Sequence, residues 1–206
     1  MGWYADHVEP RLVSCTCGAK QIARYRAQVV PHASGTVLEL GFGSGLNLPF
    51  YDEGRVERLF ALEPHAPIAA LAEERLAASP LDIELIRAGA EAVPLPDDSI
   101  DTVLVTFTLC TVPDLAAALS EARRVLRPEG RLLFAEHGLA PDPGVARWQH
   151  RVQPVWGRMA GGCHLTRDIA GRLCDAGFVL PSLAQGYAPG APRIAGYIST
   201  GTAQVQ

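Results

Sequence analysis

The 206-residue chain predicts an α/β fold, a doubly wound and mostly parallel seven-stranded sheet that ends in an antiparallel hairpin and follows a helical N-terminal arm. Three observations lead there. Short runs rich in Val, Leu and Ile alternate with Ala- and charge-rich stretches of helical length, the pattern of strands joined by crossover helices. The first of these runs passes directly into Gly41-Phe42-Gly43-Ser44-Gly45, a turn in which backbone without Cβ atoms can approach a ligand. The last two runs are separated only by Ala188-Pro189-Gly190-Ala191-Pro192, too short a link for a crossover helix, so they pair as a hairpin.

Taken in order, the arm covers residues 1–34, with helix expected over about 3–30. Strands are expected near Gly35–Gly41, Val56–Glu63, Asp82–Arg87, Ser99–Phe107 and Gly130–Glu136, with helices near 45–51, 65–79 and 114–127 between them. Asp114 can cap the last of these helices, its arginines suit the C-terminal end, and Pro128 and Gly130 stop it. Past residue 137 the rhythm changes. Pro141, Pro143 and Gly144 lead into a helical insertion, 138–165, expected over the active site. A helix over about 166–176, started by Thr166 or the loop beside it, then precedes strands over about 178–186 and 193–200. Residues 1–206 read as one domain, of a length that buries most of its apolar surface.

Composition narrows the function. With 48% hydrophobic and 19% charged residues and a net charge of -4, the chain reads as globular, and scattered arginines beside one lysine, Lys20, argue against nucleic acid as a partner. The first nine residues carry charges and no apolar run, and no stretch reaches the ~18 apolar residues of a membrane span. Five cysteines form an odd set that matches neither a disulfide framework nor zinc-ligand spacing, so no metal and a reducing cytoplasm are expected.

The chemistry sits at the strand ends. Glu39 lies within an apolar strand, where a carboxylate needs partners, either loop amides or a cationic cofactor end. Glu63, followed by Pro64, ends the second strand 18 residues after Gly45, where an acid can accept both hydroxyls of an adenosine ribose. That spacing fits any adenosine-containing cofactor. The glycine pattern, continuing into Leu46-Asn47, departs from G-x-G-x-x-G, and no Tyr-x-x-x-Lys is recognisable, so both count against a nicotinamide-dependent oxidoreductase.

The glycine turn, Glu63 and the segment Ala88-Gly89-Ala90-Glu91-Ala92-Val93-Pro94-Leu95-Pro96 occur in an order and spacing that closely resemble class I S-adenosylmethionine (SAM) methyltransferases, particularly the ubiquinone-biosynthesis C-methyltransferase branch. The resemblance covers roughly residues 36–137 and implies a Rossmann-like fold. It further implies that Gly41, Phe42, Gly43, Ser44, Gly45 and Asn47 hold the methionine part of SAM, that Glu63 binds the ribose, and that Gly89, Ala90 and Glu91 border the adenine, by backbone at Gly89 where the family often carries Asp. Thr106, Phe107, Thr108 and Cys110 then form the wall where sulfonium and acceptor meet. Glu136-His137-Gly138, Trp148, Trp156, Gly161-Gly162-Cys163-His164-Leu165-Thr166-Arg167 and Pro192-Arg193-Ile194-Ala195-Gly196-Tyr197 look like the animal thiol S-methyltransferase group. The implied activity is methyl transfer to a small molecule, a thiol or an apolar, lipid-like compound. A SAM-binding domain without turnover is the alternative.

His137 and His164 are the candidate bases, since a histidine titrates near neutrality; each has a second reading, His137 as a loop hydrogen-bonder and His164 as a loop residue before a capped helix. Cys110 either lines the methyl-transfer wall or packs as a small half-buried thiol, and Cys15 and Cys17 read as inert. Trp148 and Trp156, eight residues apart, are expected to share a helix face, as a lid packed on the core or as a wall of an apolar pocket, with Tyr4, Arg24, Tyr25 and Arg167 near that pocket.

Overall fold

A computed structural model describes Ser14 and residues 17–206. Tyr4, Cys15 and most of the expected arm lie outside the described residues; the part within them is α1 (Lys20–Val29), followed by a 3-10 turn over Val30–His32. Seven strands then form one sheet: β1 (Gly35–Leu40), β2 (Val56–Leu62), β3 (Ile83–Ile86), β4 (Ile100–Thr106), β5 (Leu126–His137), β6 (Phe178–Tyr187) and β7 (Tyr197–Val205). Their order is β3-β2-β1-β4-β5-β7-β6. The first five strands run parallel, while β7 lies antiparallel between β5 and β6. This is the Rossmann-like doubly wound sheet with its terminal hairpin.

The strand sequences explain the layering. β4 is buried along almost its whole length, as a parallel strand covered on both faces must be. Alternate residues feed two cores: Leu38, Leu40, Val103, Val105, Leu132 and Phe134 on one face, and Val37, Leu104, Leu133 and Ala135 with Val29 and Val30 on the other. The chain runs from β1 outward to β3, then returns across β1 to β4. The strand order therefore reverses between β1 and β4, and the carboxyl ends of these two strands open the crevice where such sheets bind ligands.

Three expectations are corrected. The expected helix at 45–51 is a 3-10 turn over Leu48–Phe50, because Gly45 takes a positive φ of 74° and Pro49 contributes no amide to a helical ladder. The single helix at 65–79 is two short ones, α2 (Ala66–Ala70) and α3 (Glu73–Ala78). The final strand starts at Tyr197 rather than 193, because Ala195 N donates to Pro192 O at 3.0 Å in a further turn. By contrast α4 (Leu115–Val125) begins as anticipated, with the Asp114 carboxylate accepting from Ala117 N at 3.0 Å. Of the two starts expected for the next helix, Thr166 or the loop beside it, the loop supplies the cap: the Asp168 side chain accepts from Gly171 N at 3.1 Å and starts α6 (Ile169–Asp175).

Segment 138–165 contains α5 (Pro143–Met159) and its following turn. Gln149, the one fully buried residue of α5, accepts from Ala140 N and donates to the carbonyls of Gly138 and Ile194. Gln153 similarly joins Cys163 O and Leu165 N. This helix is therefore pinned by amide side chains as much as by apolar burial. Among the described residues, no helix is long and apolar enough to cross a membrane.

Candidate functional site

At the β1–β4 switch point lies a cavity of about 370 Å³, within the range of small-molecule and cofactor sites. The turn after β1 forms its floor. Gly41, Gly43 and Gly45 all have positive φ, at 71°, 60° and 74°, a region in which side-chain-bearing residues are strained. A Cβ at Gly41 would overlap the Thr108 side chain, whereas a Cβ at Gly43 would enter open cavity. One glycine is thus required for packing and the other for access.

Glu63 closes the second side. Its Oε2 accepts from Gly43 N at 2.9 Å and its Oε1 from His65 N at 2.9 Å, so the carboxylate is fixed at the cavity rim with a free lone pair on each oxygen. Those lone pairs suit a vicinal diol. Gly89, Ala90 and Glu91 form the next stretch of wall, where the Glu91 carboxylate fills the space that a side chain at 89 would need.

Below the floor, Glu39 is fully buried and accepts from Asn47 Nδ2 at 2.9 Å and Tyr51 OH at 2.6 Å. Burial raises its pKa to about 7, against the lowering effect of these two hydrogen bonds and of Arg26. Arg26 donates from Nη1 to Asn47 Oδ1 at 2.7 Å and to Thr106 Oγ1 at 2.5 Å, and its Nε is buried without a partner. Its guanidinium lines the cavity beside the glycine turn. Because Arg26 lines the cavity, its guanidinium offers a cationic partner to the carboxylate of the methionine part of SAM. The vicinal acceptors of Glu63, the bare glycine backbone and this cationic side chain together fit SAM.

The far wall is the β4 exit. Phe107 bends through a positive φ of 55°, and Glu136 holds the bend by accepting from Thr108 N at 2.6 Å, Leu109 N at 3.0 Å and Cys110 N at 3.3 Å. Three consecutive amides facing one carboxylate form an anion nest. Burial nevertheless lifts the Glu136 pKa to about 7, the amides and the charge of His137 opposing that rise.

Of the residues singled out from sequence, Gly41, Phe42, Gly43, Ser44, Glu63, Pro64, Gly89, Ala90, Glu91, Thr106, Phe107 and Thr108 meet around this cavity. Glu39, Gly45 and Asn47 sit beneath the turn and support it. The remainder lie elsewhere. Arg24 stacks on Tyr25 and bonds its hydroxyl; Arg167 donates to the Leu109 carbonyl; His164 donates its amide to Cys110 O at 2.7 Å. Burial, then the charge of Arg167, lowers the His164 pKa.

The two tryptophans part company. Trp148 is 56% exposed under Arg151, whereas Trp156 donates from Nε1 to Cys163 Sγ at 3.1 Å. Eight residues at ~100° each leave the pair ~80° apart around the helix, so a shared face does not follow from that spacing.

Cys163 Sγ also meets His137 Nε2 at 3.0 Å, and Cys110 completes the cluster. Cys110, His137 and Trp156 all stabilise the Cys163 thiolate and draw its pKa well below the usual thiol range, while the same partnership and burial raise that of Cys110. Burial alone would lower the His137 pKa; Cys163 and Glu136 reverse the sign and raise it.

Sequence reasoning passed over Arg26, Glu136 and Cys163 as functional groups. Arg26 sits on a helix without a motif, and its partners are 21 and 80 residues away. Glu136 had a signal, a carboxylate in an apolar strand, the same one that singled out Glu39. Cys163 lay in the Gly161–Arg167 segment that carries the thiol S-methyltransferase likeness, but its partners converge only in the fold.

A methyltransferase-domain family model matches residues 38–134. The human thiol S-methyltransferase TMT1B is 38% identical over 152 residues, which are 71% of this chain and 62% of that protein. The ubiquinone/menaquinone biosynthesis C-methyltransferase UbiE of Hahella chejuensis is 47% identical over 66 residues, 32% of this chain and 26% of that protein. An S-adenosylmethionine-dependent methyltransferase from Mesorhizobium loti superposes with a TM-score of 0.67 at 19% identity, covering 90% of this chain and 98% of that one, which establishes the shared fold. The chain thus spans under two thirds of the curated relatives it matches. Residues 38–134, which hold the switch-point crevice, the glycine turn and the Glu63 rim, thus match a methyltransferase domain and carry the Rossmann-like fold of the solved SAM-dependent methyltransferases.

Proposed function

We propose that the whole chain works as one SAM-dependent methyltransferase in a reducing cytoplasm, with a small-molecule thiol as acceptor and 138–165 as the segment over the site. The observation that carries the cofactor half is the Glu63 carboxylate, fixed at 2.9 Å by amides on both sides and open toward the cavity. The thiol half rests on likeness to TMT1B.

When bound, SAM supplies a methyl group activated by its sulfonium. In our reading Glu63 orients the ribose, Arg26 takes the carboxylate, and the Phe107 bend shapes the wall where the acceptor arrives. A thiol of ordinary pKa is already a few per cent ionised at neutral pH, so the chain needs to position it more than to deprotonate it. The thiol would give its proton to solvent and its sulfur would receive the methyl group that bound SAM supplies, leaving S-adenosylhomocysteine, while Glu63, Arg26 and the Phe107 bend hold the two in place.

Labelled SAM, incubated with thiols, phenols, amines and quinone precursors, tests the reaction. Label should move to thiols. Transfer to another class only would overturn the thiol reading; SAM binding with no product across the panel would overturn catalysis. A thermal shift with NAD and none with SAM would overturn the cofactor reading as well.

A further inference from the structure

We propose that Cys110, His137 and Cys163 form a binding site for a thiophilic divalent cation, Zn²⁺ foremost, with a fourth coordination position open to a small thiol. Two sulfurs and one imidazole nitrogen lie within 4.8 Å of one another, the one group of its kind among the described residues. Both cysteines are buried, and the imidazole has Cys163 Sγ as its partner on Nε2 and nothing on Nδ1.

Packing alone does not require these donors to converge. Cys110 comes from the turn after β4 and is held by Glu136 through its amide and by His164 through its carbonyl. His137 ends β5, paired to Ile198 of β7. Cys163 follows α5 through two glycines of positive φ, Gly161 and Gly162, with Cys163 N bonded to Ala160 O at 3.0 Å and Cys163 O to Gln153. Three separate elements thus present one soft donor each to a single point. The Trp156 N–H on Cys163 Sγ supplies the outer hydrogen bond that commonly tunes a thiolate ligand.

Two thiolates and a neutral imidazole suit Zn²⁺, whose Zn–S and Zn–N bonds of about 2.3 and 2.0 Å put tetrahedral ligand atoms roughly 3.5–3.8 Å apart. The observed 3.0 Å between Cys163 and His137 needs to widen by only about half an ångström. Metal binding releases the thiol protons to solvent. Three protein ligands with an open fourth position is the arrangement of catalytic rather than structural zinc. Thr111, Ala160 and Gly161, which flank the cluster in sequence, line the cofactor cavity, so the metal would border the space that the acceptor enters. The cation site is independent of the methyl-transfer reading; its use by an acceptor thiol rests on it.

The test uses the reduced, chelator-treated protein of residues 1–206 and Co²⁺ as a spectroscopic probe. We expect thiolate-to-cobalt charge-transfer bands in the near ultraviolet, saturating at about one ion per chain and displaced by Zn²⁺. Cys163→Ser should weaken Co²⁺ binding by more than about tenfold while SAM binding, measured by calorimetry, shows the variant folded. Adding 2-mercaptoethanol to the saturated wild-type complex should shift the visible bands. No charge-transfer band in wild-type protein, or a Cys110–Cys163 disulfide that returns to free thiols without metal uptake, overturns the site. Bands that form and do not move with the thiol overturn the open position, whereas thiol methylation by metal-free protein would leave the proposed function standing without the metal.

Discussion

At the scale of single residues, two carboxylates with the same sequence signature do different work. Glu63 faces the cavity with lone pairs to spare, so Glu63→Ala should weaken SAM binding by about 1–3 kcal/mol in calorimetry; unchanged affinity would remove it from the ribose. Glu39 faces Asn47 and Tyr51 and holds the glycine turn from below. Its pKa, raised from 4.5 to about 7, means that the folded protein binds this proton more tightly than the unfolded chain does. Stability should therefore be greatest below pH 4.5 on this account and fall by about 3 kcal/mol as pH rises to 7. Glu39→Gln should flatten that slope in thermal melts across the same interval, and a slope unaltered by the substitution would refute the assignment. Both carboxylates were legible in the sequence as acids in apolar strands or at their ends. Arg26 and the Cys110–His137–Cys163 cluster were not, because partners tens of residues apart leave no spacing to read.

Elements were legible wherever one local rule dominated. The buried apolar run of β4 and the Asp114 cap of α4 needed nothing beyond periodicity and capping, and Asp114→Ala should cost about 1 kcal/mol in urea denaturation without altering SAM affinity. Boundaries shifted where two rules competed. Helical composition at 45–51 gave way to Gly45 and Pro49, which shorten that helix to a turn, while 65–79 divides into α2 and α3. The Phe107 bend is the clearest case of an element end maintained at a distance. Its positive φ survives because Glu136, on the neighbouring strand, accepts three amides. Glu136→Gln replaces an anion by a neutral amide in that nest and should lower both the melting temperature and SAM affinity together. Loss of stability with SAM affinity retained would separate the bend from the site.

For the molecule as a whole, the alternation of strands and helices made the sheet predictable and the short final link made the hairpin predictable, whereas the position of β7 inside the sheet follows only from the assembled fold. The outer strand β6 is managed as edges commonly are: Pro181 offers no amide, and the pairing with β7 shifts between Val179 and Ser182, although Val179 and Leu183 remain 40% and 43% exposed. β7 itself fills the gap between β5 and β6, and its partners on β5 lie some 60 to 70 residues earlier in the chain. During synthesis, then, the parallel strands can collect around β1 and β4 while β5 still has a bare side and β6 has nothing to pair with. The sheet becomes continuous only once β7 has been made and has inserted between β5 and β6, which places closure of the sheet late in folding. A chain stopped before Tyr197 should remain protease-sensitive even with SAM present, while the chain of residues 1–206 is protected.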